Sequence, residues 1–234
     1  MKEPHCGPDH CFLCRHCSSE WRELIRLKKR TLFFRKGRNI IEEGNPVMGM
    51  FFIPDHGGGA VKVTKNWGAD KQLIIRFAGP GDVLGHRGFG RELIYPVSAV
   101  ALEDTHVCFI DNALFEASLK TNPAFAFAFL EVYANDLQKA EQRMRDLAHR
   151  DGKGRIVLAL FEAEHVFGKD DEGFIRVPIT RQDIASHAGT SYETVFKFFS
   201  EWSQAGSIST SGKSIRITDR DALQRVLSEN NINN

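Results

Sequence analysis

The stretch Ile179 to Trp202, ITRQDIASHAGTSYETVFKFFSEW, leaves the backbone few choices. Thr180 with Asp183 three residues on has the form of a capping box, in which a hydroxyl and a carboxylate each accept the other residue's backbone N–H. Thr190 with Glu193 repeats the form. Between them stands Gly189, the residue type that enters left-handed backbone without a Cβ clash. Ile184, Ala185 and Ala188 give the first helix an apolar face, and Val195, Phe198, Phe199 and Trp202 recur at i, i+3, i+4 and i+7 on the second. The other side of the second helix carries Tyr192, Glu193, Phe196, Lys197 and Ser200, side chains able to touch base edges. After Gly206, SISTSGKSIRIT alternates around Gly212-Lys213 as a short hairpin does. A plain helical hairpin would share the caps and the glycine but not this addition. The pattern predicts a winged helix-turn-helix, with Thr180, Arg181, Ser191, Tyr192, Glu193, Phe196, Lys197 and Lys213 as candidate contacts to double-stranded DNA.

At 234 residues, 42% hydrophobic and 26% charged, the chain is long enough for two globular domains. No apolar run approaches the roughly 18 residues of a membrane span. The start, MKEPHCGPDHC, lacks the apolar core of a secretory signal, so a cytoplasmic protein with no membrane partner is expected. Net charge is +1, and from Arg150 onward 11 Lys/Arg stand against 12 Asp/Glu. Nucleic-acid binding would therefore rest on placed cations such as Arg181, Lys197, Lys213 and Arg216, not on a basic domain.

Residues 31–120 have a different texture. Short runs (TLFF, NIIE, MFFI, AVKVT, QLIIRFA, VSAVAL, THVCFI) alternate with glycine-bearing turns, which predicts an antiparallel β-sandwich or jelly roll. Residues 121–150 read as a long helix. Leu130, Tyr133, Leu137, Ala140, Met144 and Leu147 are spaced 3, 4, 3, 4, 3 along it, the seam of a two-stranded coiled coil, so a homodimer is expected. Asp151-Gly152-Lys153-Gly154 reads as a hinge, Arg155 to Phe167 as a helix and GFIRVPIT as a β-segment, all within a winged-helix domain over 151–234. Residues 1–30 form a cysteine-rich segment closed by a short basic helix over Trp21 to Arg30. The whole is an α+β chain. No nucleotide-binding glycine fingerprint or spaced Ser-His-Asp set suggests an enzyme.

Four of the five cysteines fall at 6, 11, 14 and 17. In a cytosolic protein such clustering favours a metal or redox site over disulfides. Cys11, Cys14 and Cys17 form C-x2-C-x2-C, a spacing suited to thiolates on one face of a cubane iron–sulfur cluster. A zinc site shared with His5, His10 or His16, and a site that binds nothing, remain open beside it.

With sandwich, long helix and winged helix in that order, the chain resembles the CRP/FNR superfamily of bacterial transcription regulators. Ala185, Gly189 and Val195 fall at the small, glycine and aliphatic positions of that family's helix-turn-helix, and ITRQDIA, YETVFK and GKSIRI look like its corresponding segments. The resemblance implies a cyclic-nucleotide-binding-like sandwich, a dimer on an inverted-repeat operator, and RNA polymerase as a partner. It implies that Glu193 accepts from a cytosine amino group, that Lys197 replaces a base-contacting arginine, and that Phe196 replaces a small residue and can meet a thymine methyl. Members that bind cyclic nucleotides hold the ribose with an acid soon after a Gly-Asp-x-x-Gly turn and the phosphate with an Arg-Ser pair. Here GDVLG is followed by His86 and Arg87, and the pair is Val97-Ser98, so cAMP is not expected. His86, Arg87 and Arg91 are expected to be solvated loop charges.

Cys108 stands where FNR-type oxygen sensors carry an isolated sandwich cysteine. Strand alternation would turn Val107 and Phe109 to the core and leave Cys108 on the other side, facing the N-terminal segment. The resemblance thus implies a [4Fe–4S] cluster on Cys11, Cys14, Cys17 and Cys108, with Cys6 a possible substitute, although FNR-type proteins have a longer gap before their third cysteine. Ala140 falls where those proteins tune dimerisation with an acid, which implies a more permanent dimer.

Overall fold

The computed structural model describes residues 11–57, 59–68 and 71–229. Its elements in chain order are α1 (Phe12–His16), α2 (Ser19–Lys28), β1 (Arg30–Phe34), β2 (Asn39–Ile41), β3 (Gly49–Phe52), β4 (Val61–Trp67), β5 (Lys71–Ala78), β6 (Val83–Leu84), β7 (Ser98–Ala101), β8 (Thr105–Asp111), α3 (Asn112–Thr121), α4 (Pro123–His149), α5 (Gly152–Phe167), α6 (Arg181–Ala188), α7 (Tyr192–Gln204), β9 (Ile208–Ser211), β10 (Ser214–Ile217) and α8 (Arg220–Glu229). The chain divides into two compact units, residues 1–66 with 78–138 and residues 67–77 with 139–234.

Two four-stranded sheets, ordered β1-β8-β3-β6 and β2-β7-β4-β5, realise the expected sandwich. In the first, β8 pairs antiparallel with β1 and β3, setting Cys108 opposite Thr31 on one side and Phe52 on the other. Val107, Cys108, Phe109 and Ile110 are all buried, so both faces of β8 are covered. The covering layer on the Cys108 side is aromatic: Phe12 stacks 6.3 Å from Phe52 and meets Phe125 and Phe129 edge-on. Burying each such ring contributes about 1.5–3 kcal/mol, which anchors α1 without long hydrogen-bonded structure. The next helix starts two residues earlier than its hydrophobic pattern suggests, because the Ser18 hydroxyl accepts from Trp21 N–H and caps α2.

The second unit packs α5 to α8 around the wing. Ile156, Leu160 and Ala163 of α5, Ile184 and Ala185 of α6, Val195 and Phe199 of α7, and Leu223 of α8 are buried. The expected hinge is mostly helix: Asp151 accepts from Gly154 N–H, so α5 begins at Gly152. GFIRVPIT is not a strand. An isolated bridge joins Lys169 to Ile175, and Asp170 Oδ1 takes the N–H groups of Glu172 and Phe174, turning the chain too tightly for a ladder. Residues 67–77 join this unit through α6, where Ser186 Oγ donates to Gln72 O at 2.6 Å and accepts from Ile74 N–H at 3.1 Å. Among the described residues no helix is long and apolar enough to cross a membrane.

Candidate nucleic-acid interface and thiol site

Both halves of the Thr180–Asp183 capping box form: Asp183 N–H donates to Thr180 Oγ1 at 3.0 Å, and Thr180 N–H donates to Asp183 Oδ2 at 3.1 Å. Gly189 ends α6 at φ 59°, ψ 45°, and a Cβ there would lie 3.1 Å from Leu147 Cδ2. The second cap differs from the expected one. Ser191, not Thr190, accepts from Thr194 N–H and starts α7, and the Thr190 N–H that the expected box would have given Glu193 closes the left-handed turn on Ala185 O. Ser191 also reaches Glu193. The backbone N–H of Glu193 and then the Ser191 hydroxyl hold that carboxyl below its ordinary range, so it is an anionic acceptor at neutral pH.

Val195, Phe199 and Trp202 anchor α7, while Phe198 is only half-buried. Glu193, Lys197 and Ser200 are exposed on the opposite face, with Tyr192 at 42% and Phe196 at 56% exposure. Lys197 and Lys153 each place Nζ over the Phe198 ring, at 5.6 and 5.5 Å, collecting cations along one flank. No local signal marked Lys153 for this role, since α5 delivers it from a remote stretch of sequence. The wing, β9 paired with β10, exposes Lys213 beside Gly212. A groove of about 190 Å3 runs between the start of α6, Tyr192 and the wing, lined in part by Thr180, Arg181, Thr210 and Lys213. Acidic acceptor, ammonium groups and backbone amides at a helix start are the parts needed to contact bases and phosphates.

In the first unit, Cys11, Cys14, Cys17 and Cys108 are 0–3% exposed and none forms a disulfide. Cys6 lies outside the described residues. Lys29 Nζ is 3.4 Å from Cys14 Sγ, and Arg22 Nε donates to Cys17 O at 3.1 Å. Burial, with Cys14 nearby, pushes the Cys17 thiol up to about 12, so it is protonated unless a cation compensates. Among the described residues no three His, Cys, Asp or Glu side chains converge on a point that one metal ion could fill. Phe12, next to Cys11 in the chain, stacks on Phe52, the strand partner of Cys108.

His86 and Arg87 are not solvated loop charges. His86 is 2% exposed with Nε2 2.9 Å from Asp136 Oδ2, and Arg87 grips the same oxygen at 3.2 and 2.9 Å. The carboxylate comes from α4, which no local pattern could reveal. Ser98 Oγ is occupied by Glu43 N–H at 3.0 Å. Tyr133, expected in the dimer seam, turns to its own domain: its hydroxyl donates to His86 O at 2.6 Å and its ring packs on Phe129. Leu130, Leu137, Met144 and Leu147 are exposed at 65, 61, 66 and 38%, and Ala140 is exposed with them.

Comparison with known proteins follows the same division. A family profile described as a cyclic nucleotide-binding domain matches residues 31–122, and one described as a Crp-like helix-turn-helix domain matches residues 154–226. The "CRP-like cAMP-activated global transcriptional regulator" of Mycobacterium tuberculosis is 26% identical over 82% of this chain and 85% of that protein. The "Anaerobic regulatory protein" of Bacillus subtilis is 28% identical over 85% and 81%. FixK2 from Bradyrhizobium japonicum shares the fold, with a TM-score of 0.73 at 24% identity over 85% of this chain and 96% of that one. Sandwich and winged helix together define a DNA-binding transcription regulator. The chain belongs to the CRP/FNR family.

Proposed function

We propose that the chain is a homodimeric regulator whose affinity for an inverted-repeat operator is set by an oxygen- or nitric oxide-sensitive [4Fe–4S] cluster on Cys11, Cys14, Cys17 and Cys108. The observation that carries this reading is the burial of four thiols from two remote segments, with Phe12 stacked on the strand partner of Cys108. When bound, such a cluster supplies an oxidisable link between the N-terminal segment and β8. The Bacillus relative, named for anaerobic regulation, supports a redox role. A zinc ion would draw on His5 or His10 beside the thiols, and these lie outside the described residues. Sensing of cAMP finds no support in a turn whose His86 and Arg87 are already committed to Asp136.

The N-terminal segment is tied to the start of α4. Ser18 N–H donates to Asn122 Oδ1 at 3.0 Å, and Trp21 Nε1–H donates to Ser118 Oγ at 2.9 Å. Asn122 directly precedes α4, a single helix of 27 residues that carries the exposed apolar seam. With Tyr133 turned inward, Ala134 takes its place there, and Phe127, Leu130, Ala134, Leu137 and Met144 offer the stripe a second copy would cover. A shift of the N-terminal segment is thereby felt where the dimer helix begins, and biases an existing equilibrium of the paired recognition helices. The exposed Ala140 leaves this dimer in place when the cluster is lost. RNA polymerase is the downstream partner.

The test is iron and sulfide analysis of protein purified without air, with operator affinity measured before and after exposure to air. Stoichiometric iron and sulfide, and an affinity that falls in air, are expected. Iron-free, colourless protein with air-indifferent affinity overturns the proposal.

A further inference from the structure

We infer that Phe196, held in place by Tyr192, reads the C5 methyl group of thymine, and that this aromatic pair sets the half-site of this chain. The inference rests on α7 being the recognition helix and adds which base edge it selects.

The two rings lie on the outward face of α7 with Glu193 and Lys197. Their centroids are 6.5 Å apart and their planes 24° from parallel, an offset stack one helical turn long. Phe196 is 56% exposed and Tyr192 42%, while the packing of the helix is already supplied by Val195, Phe199 and Trp202. An outward phenylalanine on a charged face contributes nothing to folding until apolar surface covers it. In the major groove every base offers donors or acceptors, and thymine alone adds an apolar group, its C5 methyl. A phenyl ring pressed on guanine N7 and O6, or on cytosine N4, would strip water from polar edges and give no hydrogen bond back. The ring therefore rejects those pairs as well as favouring thymine. Lys197, Lys153 and Lys213 bring positive charge around the strip, which fits an anionic duplex better than an apolar protein surface. Tyr192 is a positioning residue. Stacked one turn before Phe196, it restricts that side chain before DNA arrives, so less rotamer freedom is lost on binding.

The experiment uses the full chain purified without air and an inverted-repeat duplex selected from a randomised pool. Each thymine of the half-site is replaced in turn by deoxyuridine, which removes only the methyl, and affinity is followed by fluorescence anisotropy. Binding about fourfold weaker is expected for each methyl covered, at one or two positions. Phe196→Ala should erase the thymine–uracil difference, and Tyr192→Ala should shrink it, while both melt as the wild type does. A half-site without thymine, an unchanged affinity for every uracil duplex, or a penalty that survives in Phe196→Ala overturns the inference alone, provided Glu193→Ala still alters base preference. A chain that selects no sequence from the pool, or an aromatic strip that proves to join two copies of the protein, overturns it too. The former outcome removes the recognition-helix reading as well.

Discussion

The thiol site and the recognition face are each made of a few side chains, yet they stand in opposite relation to water. Cys11, Cys14, Cys17 and Cys108 are all buried, and burial, with Cys14 nearby, pushes the Cys17 thiol up to about 12. Tyr192, Glu193, Phe196 and Lys197 are exposed, and the Glu193 carboxyl is held down by hydrogen bonds at the helix start. A buried polar site keeps its state because water cannot compensate the groups that form it, so its loss is felt in packing and in occupancy. An exposed reading face leaves its binding energy unsatisfied until the partner arrives, so its loss is felt in recognition and hardly in folding. One molecule thus holds a site that is hard to change quietly and another that is easy to change quietly.

The largest expected effect tests the closed side. Cys108→Ser should remove iron, sulfide and visible absorbance from protein prepared without air, and lower operator affinity to that of air-exposed wild type. Base preference within the half-site should stay as it was. If Cys108→Ser kept its iron, or redistributed base preference, the separation of the two sites would be broken.

Glu193→Ala should do the reverse. Discrimination at one base pair should fall by about 1–3 kcal/mol, with iron content and melting temperature unchanged. Competition between duplexes that differ at a single pair measures it, and equal losses on all duplexes would make Glu193 a general contact rather than a reader. Gly189→Ala probes the frame beneath the reader. At φ 59° an alanine meets the left-handed penalty of about 1–2 kcal/mol, and its Cβ would press on Leu147 from 3.1 Å. A denaturant melt should show that loss, and an unchanged midpoint would mean that the turn relaxes.

How far each region could be read from sequence follows from the range of the interactions involved. Thr180 with Asp183 and Gly189 are signals confined to a few residues, and they gave the helix-turn-helix; the alternation read into β8 did not show that Cys108 and its neighbours are buried alike. That Ser191 and not Thr190 takes the second cap was invisible, because the two adjacent hydroxyls give the same local pattern and only the folded turn separates them. Tyr133 fitted the seam spacing equally well but is claimed by the His86 carbonyl, and His86 itself by Asp136, pairings made only once the sandwich and α4 have folded together. The aromatic lid of Phe12 on Phe52 likewise depends on tertiary contact. Helix α8 did carry a local sign, since Asp219 accepts from Ala222 N–H and Leu223 and Leu227 lie one turn apart on its buried side.

The smallest expected effect concerns what lies under the exposed face. His187 on α6 is buried, its ring stacked 4.9 Å from Phe77 and its Nε2 3.0 Å from Glu162 Oε2. Burial, and then the Arg143 guanidinium, hold the imidazole below its ordinary value despite Glu162. The Glu162 carboxyl is also lowered: burial opposes this, but hydrogen bonds from His187 and Phe77 N–H, together with charge, outweigh it. For both groups the folded value lies below the unfolded one. The unfolded chain therefore takes up the proton first, and their contribution is complete at neutral pH and lost as pH falls. The loss begins below the ordinary histidine value of 6.5 through His187 and deepens below the ordinary carboxyl value of 4.5 through Glu162. His187→Gln should lack the first phase, so the wild-type advantage in melting temperature should narrow between pH 7.5 and pH 5.5. A constant or widening advantage would show that the support beneath the reading helix does not depend on a neutral imidazole, and that its buried polar groups behave unlike those around the thiols.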